Sequence, residues 1–227
     1  MGEFHIDGES LRPEDVLAIA HGQHTVSLSE SSREAMVGSR SAIEKVLDSD
    51  DVVYGINTGF GALSSVRIEL GQLEDLQVNL IRSHACGVGE RMEPEHVLMM
   101  MIIRANSLAK GFSGARPEVV DLLLSMVNAR IAPVVPRIGS LGASGDLAPL
   151  SHMALSLIGE GECTICDEDS RIVMQSSDAL SGAGLSPIKL QAKEGLSLIN
   201  GTSQMCAYLA IALTDLENLL LAADCAV

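Results

Sequence analysis

Apolar side chains recur at helical spacing in several separate stretches of the chain. Ser29–Leu47 puts Met36, Ile43, Val46 and Leu47 on one side of an amphipathic helix. The same texture returns over Leu70–Ala85. Pro94 opens a further helix that runs to about Lys110, where Gly111 stops it. Another covers Arg116–Arg130 with Pro117 at its start, and its run from Val119 to Val127 is apolar nearly all round, which suits a helix buried on several sides. Pro133 and Pro136 end it. Asp146-Leu-Ala-Pro-Leu150 starts a helix that continues to about Ile158. From Gln191 the pattern is helical to the last residue, with Leu196, Ile199, Leu209, Leu213, Leu216, Leu219 and Leu220 keeping one apolar stripe. This stripe carries no stop signal and is expected to seek a partner: more chain, another subunit, or both.

Elsewhere the helical period lapses. Residues 1–28 read as a short lead-in in which Ser10 caps a helix with Pro13 in its first turn. Val52-Val53-Tyr54 followed by Gly55, Gly59 and Gly61 predicts a short strand running into a glycine loop. Residues 159–188, with Arg171-Ile-Val-Met174 at their centre, predict an exposed β-hairpin. The expected fold is therefore mainly α, with small β elements around residues 50–66 and 160–176.

With 227 residues, 47 % of them hydrophobic, the chain can build one large domain, or one and a half, with a proper core. Thirty acidic against fifteen basic residues leave a net charge of −15, and aromatics are only 2 %. That balance excludes a basic nucleic-acid surface and makes base-stacking platforms a poor fit. Five cysteines at irregular spacing argue against a disulfide framework and for a reducing compartment. No basic segment precedes an apolar run at the N-terminus, so no signal peptide is expected. The longest uninterrupted apolar stretches, Val97–Ile103 and Met205–Leu213, are shorter than the ~18 residues of a membrane span. A soluble cytoplasmic protein is expected. Cys163-Thr-Ile-Cys166 has no second cysteine pair or histidine pair nearby, so no metal site is expected. Met99-Met100-Met101 reads as core filler.

The densest chemical signal is Gly139-Ser-Leu-Gly-Ala-Ser-Gly-Asp146. Its backbone amides at a helix start could hold an anion, although no lysine follows as in a phosphate loop. Ser144 could be a nucleophile, although its neighbours do not make the usual strand–helix elbow. A third use is backbone chemistry: glycine lets the Gly145 nitrogen approach the Ala143 carbonyl, and loss of water from Ser144 would conjugate the new ring. A plain glycine turn capping a helix competes with all three.

Four segments taken together resemble the aromatic amino acid ammonia-lyase family. They are Tyr54-Gly-Ile-Asn-Thr-Gly-Phe-Gly61, Asn79-Leu-Ile-Arg-Ser-His-Ala-Cys-Gly-Val-Gly89, Gly139 through His152, and Lys193-Glu-Gly-Leu-Ser-Leu-Ile-Asn-Gly-Thr202. Asn106 through Gly114 also fits. The resemblance runs from about residue 10 to the end. It implies that Ala143, Ser144 and Gly145 cyclise and lose water to form 4-methylidene-imidazol-5-one, with no external cofactor. That group is the electrophile that lets ammonia leave an amino acid.

The resemblance also implies roles for other residues. Tyr54 matches the tyrosine proposed as the base that removes the β-proton, a task for which a phenol of pKa near ~10 must be tuned toward working pH; the competing role is a half-buried strand tyrosine. His84 matches the substrate-selecting position, and Ser83-His84 is the pair of the branch acting on L-histidine, where an imidazole can hydrogen-bond the substrate ring. The competing role is an idle histidine at a helix end. Asn200 matches an asparagine that binds the substrate carboxylate, against a merely polar residue within a helix. Asp146 would orient or deprotonate the Gly145 amide, or cap a helix. Asn57, Gly61 and Leu141 fit the pattern without separate chemistry.

In fold, the resemblance implies a prosthetic-group domain over residues 1–190, with 191–227 opening a long central helical bundle. Family members are about twice this length and assemble as homotetramers whose sites draw on three subunits. The expected partner is therefore further copies of the chain or the missing C-terminal half. The expected reaction is elimination of ammonia from L-histidine to give urocanate. The rivals are a tyrosine or phenylalanine ammonia-lyase or aminomutase, and a non-catalytic assembly subunit.

Overall fold

The structure, a computed structural model, describes residues 2–61, 64, 66–143, 145–166 and 170–226. The chain opens with β1 (Gly2–Ile6), α1 (Pro13–Ala20) and β2 (His24–Leu28), and the two strands pair in parallel with Ile6 opposite Leu28. The lead-in is thus a βαβ unit, which five-residue strands with few buried positions do not announce. Ser10 does not cap α1. Arg12 holds that position, its N–H donating to Asp15 Oδ2 at 3.0 Å, while the Ser10 N–H donates to Asp7 Oδ1 in the preceding turn.

Helix α2 (Glu30–Leu47) starts where expected, with Ser29 Oγ accepting from the Ser32 N–H. The next segment departs from expectation. No strand forms at Val52–Tyr54, and nearby, among the described residues, stands an isolated bridge between Thr58 and Arg67. The buried Asn57 side chain explains this: its Oδ1 accepts from the Val53 N–H and its Nδ2 donates to the Asp51 carbonyl, both at 2.8 Å, so a side chain takes the place of a neighbouring strand.

After a short 3₁₀ turn come α3 (Leu73–His84), β3 (Val88–Arg91), α4 (Pro94–Ala109) and α5 (Pro117–Asn128). Proline stands at the first helical position of both α4 and α5. Helix α4 is the core of the molecule: Val97 through Ile102 are fully or almost fully buried, the three methionines included. It packs against α1, α2 and α5. At the end of α5, the Asn128 amide both donates to the Val26 carbonyl and receives the Val26 N–H, each at 2.8 Å, along the side of β2 away from β1.

Two short strands follow, β4 (Ile131–Pro133) and β5 (Pro136–Ile138), and β5 pairs antiparallel with β3. Then come α6 (Leu147–Leu157), β6 (Glu162–Cys166), β7 (Arg171–Gln175) and α7 (Ser176–Gly182). The hairpin expected near 160–176 is present but only half exposed. Strand β6 lies between β4 and β7, which buries Cys163, Thr164 and Cys166. The two thiols are free, and burial raises their pKa. Among the described residues no cluster of His, Cys, Asp or Glu is placed to hold a metal.

The helical texture from Gln191 onward is broken in two. Helix α8 (Glu194–Ile199) ends at Asn200, and α9 (Ser203–Cys225) begins after Thr202. Helix α8 packs on α3 and α6, and α9 leans on α4, α1 and α6. Beyond Ala210 the residues of α9 are largely uncovered, and Leu213, Leu216, Leu219, Leu220 and Leu221 are exposed. Taken as one stretch, Glu194–Cys225 is long and apolar enough to cross a membrane by length and composition, although its uninterrupted apolar runs are short. The same properties describe a helix seated in a bundle.

Glu194, at the start of α8, is fully buried and receives Arg116 Nε at 2.8 Å, Arg116 Nη2 at 2.8 Å and the backbone N–H groups of Arg116 and Gln191. Removing the cation leaves a buried carboxylate without its counter-charge. Arg116→Met is expected to cost about 3 kcal/mol, read as a lowered urea midpoint at unchanged slope.

Candidate active site

The loop before α6 is closed by one side-chain bond: Ser140 Oγ donates to Asp146 Oδ1 at 2.7 Å. Between them the chain bulges outward. Leu141 is 90 % exposed and Ala143 is exposed, while Gly145 and Asp146 turn back into the protein. Ser144 lies outside the described residues. Gly142 and Gly145 have φ of +77° and +103°, which side chains rarely tolerate. At Gly145 the reason is also steric. A Cβ there would overlap the carbonyl oxygen of Gly201 and lie 2.8 Å from its carbon.

Gly201 belongs to the break between α8 and α9, and its carbonyl accepts the Asp146 N–H at 2.7 Å. The Asp146 side chain is 0 % exposed. It stands at the N-cap position of α6 without capping that helix. Its Oδ2 instead accepts the N–H groups of Gln204 and Met205, at 2.8 and 3.0 Å, in the first turn of α9. A carboxylate at this helix start satisfies two orphan amides and meets the positive end of the helix dipole. Three donors occupy the carboxylate, so the geometry favours an orienting over a proton-abstracting part.

His84 ends α3 beside this loop. Together with Cys86, Gly139, Leu141, Ala143, Gly145, Leu147 and Ala148 it lines a cleft of about 200 Å³. His84 Nδ1 lies 2.8 Å from the Leu80 carbonyl oxygen. A carbonyl only accepts, so in the neutral ring Nδ1 carries the proton and Nε2 is left with its lone pair. Ser83 Oγ donates to the same carbonyl at 2.9 Å and sits 3.1 Å from Nδ1, which fixes the ring further.

The segment after His84 is pinned to α6 by His152, whose Nε2 accepts the Gly87 N–H at 3.1 Å. Burial lowers the His152 pKa, which favours the neutral ring this bond requires. His152, Cys86 and Gly87 carry no assigned part in the sequence reading. Their presence in the matched segments was the available signal.

Other sequence candidates lie outside the cleft lining. Tyr54 is 58 % exposed, its ring edge against Phe60 with centroids 6.2 Å apart. Its loop reaches α8 at Gly55, where a Cβ would approach Leu196 to 2.8 Å. Asn200 is exposed at the end of α8, next to Gly201 and so next to the Gly145 backbone. Gly61 has φ +57° with open space around it.

Residues 11–227 match the sequence profile described as aromatic amino acid lyase. The chain belongs to the aromatic amino acid lyase family. A histidine ammonia-lyase of Geobacillus is 49 % identical over 214 residues, covering 94 % of this chain and 41 % of the relative. The crystal structure of histidine ammonia-lyase from Trypanosoma cruzi superposes with a TM-score of 0.87 at 40 % identity, over 93 % of this chain and 41 % of that one. Ergothionase from Treponema denticola superposes with a TM-score of 0.89 at 30 % identity, over 96 % and 43 %. The chain thus spans about two fifths of the length of these relatives.

Lyases of this family use 4-methylidene-imidazol-5-one. The loop fits that group. Its third residue is a glycine that both its positive φ and the Gly201 carbonyl require, and its flanks are tied by the Ser140–Asp146 bond.

Gly145→Ala should therefore cost about 2–4 kcal/mol, from strain and overlap together, measured by chemical denaturation. A second expectation concerns acid. The folded protein holds His152 neutral below the ordinary histidine value of 6.5, whereas the unfolded chain binds the proton there. Stability should then fall as pH drops through that value. His96, whose pKa burial also lowers, adds in the same direction. The melting temperature of His152→Phe should decline less steeply between about pH 7 and 5 than that of the parent.

Proposed function

We propose that this chain forms the prosthetic-group part of an ammonia-lyase acting on L-histidine, releasing ammonia and urocanate. The observation that carries this reading is the shared cleft: the His84 ring lies beside Ala143 and Gly145, and its Nε2 lone pair meets no donor among the described residues. The substrate imidazole offers an N–H donor to such an acceptor. The relatives described above as histidine ammonia-lyases support the same substrate.

In this reading the Gly145 nitrogen adds to the Ala143 carbonyl carbon, and one water leaves as the ring closes. A second water leaves with the Ser144 hydroxyl and its α-hydrogen. The finished group supplies an electrophile that makes the substrate amine a better leaving group. Asp146 holds the loop between α6 and α9 while this happens. Asn200, one residue from the Gly201 carbonyl that anchors Asp146, binds the substrate carboxylate, and Ser83 holds the His84 ring in register. Gly61 gives the Tyr54 loop its turn, and Leu141 shields the cleft.

Tyr54 is the base for the β-proton, and its place outside the cleft lining suits a site assembled between subunits. A cleft of about 200 Å³ is small beside the roughly 300–1,000 Å³ of complete ligand pockets. The remaining walls would come from the length that the relatives carry beyond the matched segment and from neighbouring subunits packed on the α9 leucines. Residues 1–190 form the prosthetic-group domain, and 191–227 open the bundle. Five free cysteines and an acidic composition suit a soluble enzyme of the cytoplasm.

The test uses the full-length enzyme that contains this segment. Its intact mass should be lower than the translated sequence by two waters, and purified enzyme should convert L-histidine to urocanate, followed by ultraviolet absorbance. An unmodified mass together with no urocanate would refute the reading. His84→Leu should lower kcat/KM for L-histidine about tenfold or more, the worth of one hydrogen bond. Tyr54→Phe should lower kcat by about 10²–10⁴ at little change in KM, as expected for loss of a general base.

A further inference from the structure

Arg104 sits in the middle of α4 and is only 4 % exposed, yet no carboxylate among the described residues pairs with it. Its Nη2 donates to the Ser197 carbonyl, in the last turn of α8, and its Nε meets no partner among the described residues. Its Nη1 lies so close to Gly201 that a Cβ there would overlap it. Gly201 is thus squeezed from two sides, by the guanidinium and by the Gly145 backbone.

The break between α8 and α9 carries a cost. A continuous helix over 194–225 would satisfy its own amides and carbonyls at 200–202, whereas two helix ends leave them without internal partners. Each end here faces a buried charge of the sign that suits it. The cation of Arg104 stands at the carbonyl end of α8, and the anion of Asp146 stands at the amide end of α9. Neither charge has an ion-pair partner among the described residues, so the helix ends are what each of them meets.

We propose that Arg104 is a positioning residue, the buried cation that holds the break at Asn200–Thr202 open and so fixes both Asn200 and the Gly201 backbone on which Gly145 is seated. Three features of the structure converge on it: the bond to α8, the contact with Gly201, and the matching anion across the break. Burial lowers its pKa to about 10, which leaves it charged at neutral pH. Remove the cation, and the Ser197 carbonyl loses its donor, Gly201 is free to shift, and the Asp146 N–H loses a fixed acceptor. Lysine would keep the charge but reach with one ammonium where arginine has a fork.

The proposal rests on the lyase reading above, and its test separates the two. Full-length wild type, Arg104→Lys and Arg104→Met are compared by intact mass, far-ultraviolet dichroism and steady-state kinetics with L-histidine. Arg104→Met is expected to keep its helical signal while a large fraction of chains retain both waters. In the matured fraction KM should rise about tenfold, the worth of a mis-set carboxylate contact, with a smaller change in kcat. Arg104→Lys should restore most of the maturation. Complete maturation with wild-type KM and kcat in Arg104→Met overturns the proposal.

Hydrogen exchange on the wild type gives a readout that does not depend on any variant folding. The amides of Asp146, Gln204 and Met205 should exchange as slowly as those of α4, and fast exchange there also overturns the proposal. A wild type that keeps both waters and makes no urocanate refutes the lyase reading, while slow exchange at the Asp146 amide in wild type and fast exchange there in Arg104→Lys or Arg104→Met would still support the part of Arg104 in the break, and equal exchange would overturn it.

Discussion

Two stretches of main chain, at Gly145–Asp146 and at Gly201, meet more closely than any side chain would allow, and a single amide–carbonyl bond of 2.7 Å joins them. Most of the architecture can be understood as holding that meeting in place. Helix α6 starts at one stretch and α8 stops at the other, and both rest on α3. Helix α4, buried along most of its length, is the floor that α9 lies across. The order matters energetically. The apolar core supplies stability that is not localised, and it leaves a few polar contacts to decide geometry.

Those contacts share a logic. Buried ions in this protein are settled by backbone groups as much as by opposite charges. Glu194 has Arg116, but it also gathers two backbone amides. Arg40, nearly buried, gives its Nε to Glu44 and the rest of its guanidinium to the Gly114 and Ala192 carbonyls and the Gln191 side chain, clasping the segment that leads into α8. Asp146 and Arg104 do the same at facing helix ends. Main-chain partners cannot swing away as a surface lysine can, so such ions fix position more sharply than exposed pairs do.

The sequence made some of this legible and hid the rest for physical reasons. Helices α2, α4 and α5 could be read because their starts are written locally, as Ser29, Pro94 and Pro117. The cleft loop could be read because its glycines and its neighbours form a motif. The parallel pair β1–β2 was missed because two five-residue strands separated by a helix carry little periodicity. A strand at Val52–Tyr54 is expected because β-branched residues favour one, and the Asn57 side chain overrules that preference. The break at Asn200–Thr202 has a local signal in the turn-forming pair Asn200-Gly201, but the charges that face its two ends, Arg104 and Asp146, lie far off in the chain. Tyr54 was legible as a candidate only through its motif, since nothing beside it in the sequence says which cleft its ring will serve.

The Asn128 amide, which grips Val26 by both its N–H and its carbonyl, imitates one rung of a β-ladder. Strand β2 would otherwise offer that rung to any extended peptide drifting past. An edge plugged by a side chain cannot recruit a foreign strand at that point, so this small sheet ends at two strands and does not become a seed for fibrous aggregation.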